Sequence, residues 1–230
     1  MSFFDSNLLR SGEYHDWLVQ GFLTSLQLLG ASFVIALPLG VAIALMRTSH
    51  SRVLRAIGAS LVEGIRNVPL LAHLLFWYFA FPELLPETLK LALYDSNPEF
   101  ICAVIALSLY AGVHMAEDIR SGIRAVPVAQ MEAARSLGLG RIASLRLVLL
   151  PQSIRIAVPP LLSQTVNLWK DTSVATVIGA AEMMYQAARV ETATFRSVEA
   201  FTFATLAYLT VSLAISLAAQ LYARRFPVRT

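Results

Sequence analysis

The sequence predicts an all-α membrane protein that crosses the bilayer five times, and three observations support this fold class. Hydrophobic residues make up 57% of the 230 residues and charged residues only 14%, whereas soluble domains have about 25% charged residues. The apolar residues lie in long blocks, most of them near the roughly 20 residues that a helix needs to cross a bilayer. Arginines separate these blocks on one side of the predicted membrane, which sets an orientation.

Five apolar segments come close to the length that a membrane-spanning helix requires. They are residues 17–46, 61–81, 100–115, 147–169 and 200–223. Three prolines and an arginine interrupt the fourth segment, so we expect other helices to shield it from lipid. Together with their connections, the five segments are predicted to form one transmembrane domain over residues 17–223.

The remaining segments are predicted to be polar ends and connections. Residues 1–16 form an external arm and not a signal peptide, because acidic residues outnumber the one arginine in it. Residues 224–230 form a basic cytoplasmic tail. The predicted outer connection, between the fourth and fifth spans, contains an apolar stretch, residues 176–190, that is too short to span the membrane. We expect a helix there that lies at the membrane interface or dips into the protein.

Basic residues determine the predicted orientation. Arginine is abundant after the first and third spans and in the C-terminal tail, whereas Lys90 stands among four acidic residues after the second span. The positive-inside rule therefore places the N-terminus outside and the C-terminus in the cytoplasm, which agrees with an odd number of spans. The net charge of +3 is distributed between apolar blocks, and this argues against a nucleic-acid-binding face.

The long cytoplasmic loop, residues 117–147, contains the clearest local pattern. Pro127 suits the first turn of a helix, residues 130–137 favour helix, and the glycines at 138 and 140 suit its end. A second helix is expected to run up to Pro151. Such an exposed helical hairpin could dock a partner protein; the alternative is an amphipathic loop lying on the membrane.

The same loop resembles a known family motif. Glu132-Ala133-Ala134, three residues, Gly138, nine residues and Val148-Leu149-Leu150-Pro151 resemble the EAA motif of ABC importer permeases. That motif reads E-A-A, three residues, G, nine residues and I-x-L-P. The resemblance implies a type I ABC importer permease fold whose loop inserts into a cleft of a separate ATPase subunit. The residues assigned to this contact are Glu132, Ala133, Ala134, Arg135 and Gly138.

Further segments resemble the permeases of polar amino-acid importers. Glu63-x-x-Arg66-Asn67-Val68-Pro69-Leu70 and Lys170-Asp171-Thr172-Ser173 are similar to their signatures, and Leu109-Tyr110-Ala111-Gly112 is similar to glutamate/aspartate importers. The resemblance implies glutamate or aspartate as the first expected substrate, with glutamine or another polar amino acid as the alternative. Acidic-substrate permeases often have arginine at the position of His114.

The transporter implied by the resemblance needs several partner proteins. The chain has no G-x-x-x-x-G-K-[ST] loop, so it is expected to be a transport subunit without its own ATPase site. ATP and Mg²⁺ would bind to partner ATPase subunits, and this chain is expected to hold no cofactor or metal. The resemblance also implies a second permease chain, identical or paralogous, and an extracytoplasmic solute-binding protein. The location implied is the inner membrane of a bacterial cell.

Polar residues within the spans are candidates for the substrate pathway, since a zwitterion needs both donors and acceptors. The candidates are His114, His73, Tyr110, Gln164 and Asn167. The alternative for the histidines is neutral packing, and for the two amides it is hydrogen bonding between helices. Lys170 and Asp171 are interpreted as an outer end or gate, with substrate contact as the alternative. Glu63 and Arg66 are expected to form an ion pair near the inner interface.

Two other classes of protein are alternatives to a permease subunit. A secondary transporter would work without an ATPase, with a proton passing through His73 or His114. Single-chain transporters commonly contain two related halves, and we find no internal repeat. A structural membrane anchor would have no use for polar groups inside its spans. Both alternatives fit the sequence less well than a permease subunit.

Overall fold

The described part of the computed structural model, residues 12–227, is helical and contains no strand. Predictions for residues 1–11 and 228–230 lie outside the described residues. The α-helices are α1 Glu13–Thr48, α2 Arg52–Arg66, α3 Leu70–Leu75, α4 Glu87–Tyr94, α5 Pro98–Arg124, α6 Val128–Ser136, α7 Arg141–Ser144, α8 Leu150–Asp171, α9 Met183–Thr194 and α10 Ser197–Arg225. Two π turns, Phe76–Ala80 and Leu145–Leu149, and two 3-10 segments, Phe81–Leu84 and Thr172–Ile178, continue or join them. The predicted all-α class is confirmed.

Four helical segments are long and apolar enough to cross a membrane. They are Glu13–Thr48, Pro98–Arg124, Arg141–Ile178 and Ser197–Arg225, and they correspond to the first, third, fourth and fifth predicted spans. The first already begins inside the predicted external arm, 1–16. The remaining apolar segment, Leu70–Leu84, is shorter, and at 1.5 Å per residue it reaches only about 22 Å.

The second predicted span, 61–81, is wrong as a single helix. α2 ends at Arg66, and α3 begins at Leu70 after a break. The cause is Pro69, whose ring removes a backbone donor and disfavours a helical conformation in the residue before it. Pro69 itself is extended, with φ −58° and ψ 141°. The predicted second span is therefore divided into two helices at this break.

α5 is the central helix, and small residues let its neighbours approach its backbone. A Cβ added to Gly40 of α1 would lie 2.9 Å from the carbonyl oxygen of Gly112. On the other side of α5, a Cβ added to Gly122 would lie 2.9 Å from the carbonyl oxygen of Ser153 in α8. Close backbone contact of this kind is typical of helices packed within membranes. α5 thereby joins α1 and α8 into one packed unit.

The outer connection enters the protein, as one of the two predicted alternatives states. Met183, Ala187 and Val190 on one side of α9 are fully or almost fully buried against α1 and α10. The single helix predicted over 176–190 is wrong, because Gly179 has φ +85° and ends the 3-10 segment before α9 begins. Glycine adopts this backbone conformation without a steric penalty.

The cytoplasmic loop is shorter than predicted at both ends. α5 continues to Arg124, so the first part of the predicted loop 117–147 is helical. The predicted stop at Pro151 is also wrong, because helical structure continues from Arg141 through α8. A π turn at Leu145–Leu149 precedes the proline, so the helix passes Pro151 without the hydrogen bond that proline cannot donate. The loop is thus joined to a span by unbroken helix.

Candidate coupling loop and polar pathway

α6 forms the predicted docking helix, and its end has a complete capping motif. Gly138 has φ +82°. Its N–H donates to the carbonyl of Arg135 at 2.9 Å, and the N–H of Leu139 donates to the carbonyl of Ala134 at 3.1 Å. This pair of bonds is a Schellman motif, in which glycine takes the left-handed position. The predicted role of Gly138 as the end of the helix is confirmed.

The exposed side of α6 is available to a partner protein. Glu132, Ala133 and Arg135 are exposed, as the predicted contact requires. Ala134 is only 4% exposed, so a direct contact from its side chain is corrected to a supporting position behind the surface. Leu137 was not singled out from the sequence, yet it is 82% exposed. The sequence signal for Leu137 was its position between two residues of the motif, where nothing predicted a buried side chain.

Hydrogen bonds attach this loop to the helix that follows it. The Ser144 hydroxyl is fully buried and donates to the carbonyl of Leu139 at 3.3 Å. The helical run that begins at Arg141 continues to Ile178. α6 is therefore connected to α8 through a short turn and continuous helix.

An ion cluster joins the adjacent ends of α1 and α5. Arg47 Nη1 lies 2.7 Å from Glu117 Oε1, and Arg120 Nη2 lies 2.6 Å from Glu117 Oε2. The expected Glu63–Arg66 ion pair does not form among the described residues. Instead, Asn67, which follows the last residue of α2, donates from Nδ2 to Glu63 Oε2 at 3.0 Å. Sequence reasoning missed Glu117 as a central residue, although its spacing to Arg120 predicts a helical ion pair.

The candidate pathway residues of α5 lie together with His73. The Nδ1–H of His114 donates to the Tyr110 carbonyl at 2.8 Å, and the two rings have centroids 4.7 Å apart. The ring of His73 lies 6.0 Å from the ring of Tyr110. Because a carbonyl only accepts, this bond places a proton on Nδ1 of His114. Nε2 of His114 is left free to accept or, when protonated, to donate.

Asp171 from the end of α8 joins this group. Asp118, one turn after His114 on α5, and Asp171 both interact electrostatically with His114. Asp171 is half-buried, whereas its neighbour Lys170 is exposed. The structure therefore sets a histidine and an aspartate of α5 and an aspartate at the end of α8 in electrostatic interaction. An arrangement of this kind offers both donors and acceptors to a zwitterion.

His73 has a structural partner at the break in the second crossing. Its Nε2–H donates to the carbonyl of Ile65 at 3.0 Å, and this carbonyl belongs to the last turn of α2. The Ile65 carbonyl also accepts from the backbone N–H of Val68 at 3.2 Å, so His73 adds a second bond at this helix end. His73 thus stabilises the break, which supports the packing alternative for this residue.

We expect His73→Ala to destabilise the protein by about 0.5–1.5 kcal/mol, because one hydrogen bond to the Ile65 carbonyl is lost while the Val68 N–H still donates to it. His73→Gln, which keeps a side-chain N–H, is expected to recover part of the loss. Thermal unfolding of the purified protein in detergent measures the effect. Equal stability of the alanine variant and the wild type would contradict the capping role.

α8 carries polar groups on a side that residues 12–227 leave at least partly uncovered. Asn167 Nδ2 donates to Gln164 Oε1 at 3.3 Å, which confirms that the two amides share a face. Asn167 and Lys170 are exposed, and Gln164 is half-buried. These three residues recur at intervals of three, so they follow one side of the helix. Polar groups in a span are costly against lipid, so this side requires a protein or water-filled surrounding.

A buried carboxylate at Glu182 was missed by sequence reasoning. It is fully buried and accepts from Ser25 Oγ at 3.2 Å, Tyr208 Oη at 2.7 Å and the backbone N–H groups of Met184 and Tyr185 at 3.0 and 2.9 Å. Burial raises the pKa of the Glu182 carboxyl above its ordinary value, while these hydrogen bonds oppose the shift. The available signal was an acidic side chain at the N-cap of an apolar helix.

Comparison with known proteins gives consistent matches. Residues 36–227 match the family described as binding-protein-dependent transport system inner membrane component. The chain is 34% identical over 216 residues to the glutamate/aspartate import permease protein GltJ of Escherichia coli K12, with 92% of this chain and 88% of the relative covered. It is 36% identical over 204 residues to the probable glutamine ABC transporter permease protein GlnM of Bacillus subtilis, with 89% and 88% covered. The crystal structure of an amino acid ABC transporter with histidines superposes with a TM-score of 0.80 at 31% identity and covers 92% of this chain and 95% of its own.

Proposed function

We propose that this chain, which belongs to the family of binding-protein-dependent transport system inner membrane components, carries glutamate or aspartate into the cytoplasm. It is the permease subunit of an amino-acid ABC importer. Its fold is the type I ABC importer permease fold, and it is a multi-pass protein of the bacterial inner membrane. The observation that carries the permease role is the exposed helix α6, closed by Gly138 and joined to a span by continuous helix. The similarity to the glutamate/aspartate import permease protein GltJ supports the proposed substrate.

The proposed partners are ATPase subunits, a second permease chain and an extracytoplasmic solute-binding protein. ATP and Mg²⁺ bind to the ATPase subunits. The polar side of α8, formed by Gln164, Asn167 and Lys170, supports a second permease chain, identical or paralogous. In the single chain this side is uncovered, and pairing with a like chain would remove it from lipid. The described residues provide one half of a pathway that two chains enclose.

The orientation has the N-terminus outside and the C-terminus in the cytoplasm. α6 follows the end of α5 that carries Arg120 and Arg124, and Arg47 at the end of α1 lies next to this region through Glu117. The last turn of α10 carries Arg224 and Arg225. Basic residues concentrate on the cytoplasmic side of membrane proteins. On this assignment α6 faces the ATPase subunits.

Coupling follows from the rigidity of the loop and its helix. ATP-driven closure of the ATPase subunits displaces α6, and the helical run from Arg141 to Ile178 transmits the movement. Asp171 lies near the far end of that run, close to His114. The two ends of the pathway thereby open in turn. The inward-open and outward-open states must differ little in energy, with ATP and the loaded receptor each binding one of them better.

His114 is the proposed contact for a substrate carboxylate. Protonated imidazole donates from Nε2, which has no partner among the described residues, while Nδ1 remains bonded to Tyr110. Asp171 stands where it could accept from the substrate ammonium, and Lys170 acts at the outer gate. Glutamine remains the alternative substrate, because the relatives of similar identity carry both kinds of name. A histidine suits this alternative too, since neutral imidazole accepts from an amide.

We expect His114→Ala to reduce uptake about tenfold or more, while assembly with the ATPase subunits is unchanged. A hydrogen bond to a charged group is worth about 1.5–3 kcal/mol, and the lost bond affects the substrate alone. Uptake of radiolabelled amino acid into proteoliposomes measures the change. His15→Ala, at a half-exposed site near the start of α1, is the matched control. Unchanged uptake kinetics of the His114 variant would leave His114 a packing residue.

Two experiments test the proposed function as a whole. The tagged chain, produced together with its neighbouring genes, is expected to copurify with an ATPase and to transport only when ATP is supplied. Transport by the chain alone would favour a secondary transporter. A competition panel of unlabelled amino acids on the reconstituted complex then identifies the substrate. Competition by glutamine but not by glutamate or aspartate would overturn the preferred substrate while leaving the permease role intact.

A further inference from the structure

A basic cavity lies on the side of the molecule that carries α6. It has a volume of about 490 Å³ and is lined by His50, Met131, Arg135, Arg141 and Leu145. These residues come from the turn between α1 and α2, from α6 and from the helical run that begins at α7. The cavity is thus enclosed by the coupling loop on one side and by the end of the first span on the other.

Hydrogen bonds hold the walls of this cavity in place. Arg55 Nη1 donates to the carbonyls of Ser49 and His50 at 3.0 and 3.4 Å. These bonds fold the turn that carries His50 onto the first turns of α2. On the opposite wall, the Ser144 hydroxyl ties α7 to the end of the α6 turn. These bonds fix two walls of the cavity, the turn that carries His50 and the turn before α7.

The charges inside the cavity are unbalanced. No carboxylate lines it, and Arg135 and Arg141 form no salt bridge or hydrogen bond with the rest of the described chain. Guanidinium groups bind phosphate through paired N–H donors. Two of them in one concave site, with an imidazole beside them, favour an anion with several oxygen atoms.

An apolar surface leads away from the cavity along the helix. Ile142, Leu145, Leu150 and Ile154 are 81%, 44%, 46% and 56% exposed. Their intervals are three, five and four residues, and the interval of five crosses the π turn. A π turn contains more residues than an α turn, so these side chains follow one side of the helix. Leu145 belongs both to the cavity and to this apolar stripe.

We propose that the cavity binds the phosphate headgroup of an anionic phospholipid of the cytoplasmic leaflet, with its acyl chains along the apolar stripe. The assignment to this leaflet rests on the proposed orientation. Basic pockets at the cytoplasmic side of membrane helices suit anionic lipid headgroups. A free anion would use the arginines but not the stripe, and an acidic loop of the ATPase would leave the stripe uncovered. A bound lipid would brace the coupling loop against the first span.

Native mass spectrometry of the purified permease–ATPase complex tests this site. After incubation with phosphatidylglycerol, the wild type is expected to retain more of this lipid than of phosphatidylcholine. Arg141→Gln is expected to reduce the retained phosphatidylglycerol about fivefold or more. Arg146→Gln is the matched control, because Arg146 is exposed on the same helix but does not line the cavity. This variant is expected to retain the wild-type amount.

Further measurements distinguish a bound lipid from other ligands of the cavity. Ile154→Gln, at the far end of the stripe, is expected to weaken long-chain phosphatidylglycerol but not its short-chain dihexanoyl form. Displacement of the lipid by millimolar inorganic phosphate would overturn the proposal in favour of a free-anion site. Loss of the ATPase from the Arg141 variant with undiminished lipid would overturn it in favour of a protein contact. The proposed transport function is tested separately by ATP-dependent uptake, so the two failures are distinguishable.

Discussion

Gly138→Asp is expected to leave the protein folded in the membrane and to abolish uptake coupled to ATP hydrolysis. Gly138 has φ +82°, and a Cβ built there meets no atom of the chain within 4 Å. The substitution therefore costs only the backbone strain of a left-handed residue, about 1–2 kcal/mol. Relief of that strain would change the Schellman motif at the end of α6. A carboxylate would also enter the surface that we propose contacts the ATPase.

The matched control for this experiment is Gly140→Asp. Gly140 has φ −66° and also has open space around its Cβ position. The same charge is thus added two residues away without strain. We expect this variant to retain at least about half of the wild-type ratio of uptake to ATP hydrolysis, measured in proteoliposomes. Normal coupling in Gly138→Asp would contradict the docking role of α6.

Glu182→Ala is expected to cause the largest loss of stability, about 3 kcal/mol or more. The change removes the acceptor of two side-chain hydroxyls, Ser25 and Tyr208, and of two backbone N–H groups in a fully buried site. Each buried donor left without a partner costs about 1–3 kcal/mol. For a chain of this size the expected fall in Tm is about 6–12 °C. Thermal unfolding in detergent and the yield of monodisperse protein measure it.

Two variants distinguish the loss of the buried hydrogen bonds of Glu182 from the loss of a single hydrogen bond. Glu191→Ala removes one exposed hydrogen bond, from Ser197 Oγ at 3.1 Å, and is expected to cost under about 1 kcal/mol. Tyr208→Phe removes one donor and leaves the carboxylate its other partners, so an intermediate loss is expected. A Tm of Glu182→Ala within 2 °C of the wild type would show that the site refills with water or repacks without cost.

Local patterns predicted much of the fold. Hydropathy located the four segments that are long and apolar enough to cross a membrane, and Pro127 and Gly138 flank the two ends of α6. These features depend on residues close together in the chain. A proline cannot donate a backbone hydrogen bond, and a glycine accepts a positive φ, whatever lies around them. Such features can be read without a tertiary structure.

Proline in the spans shows where local reasoning stops. Pro69 breaks the second crossing into two helices, whereas Pro151, Pro159 and Pro160 lie within a continuous helical run. The residue type is the same in both places. The difference depends on how the carbonyl that loses its helical donor to each proline is hydrogen-bonded. At the break, the His73 side chain donates to the Ile65 carbonyl. Before Pro151, a π turn changes the backbone hydrogen-bond pattern of the helix. Neither partner is evident from the local sequence.

By itself, the sequence determined that this is an all-α membrane protein, that α6 ends at Gly138, and that a motif for an ABC permease is present. Only the tertiary structure decided which distant residues meet. Ser25 and Glu182, which are hydrogen-bonded, are 157 positions apart, and Asp171 interacts electrostatically with His114 because α5 packs against α8. Helix formation depends on near neighbours, whereas these contacts depend on how helix faces pack. A buried acid, a basic cavity and an uncovered polar face therefore became visible only in three dimensions.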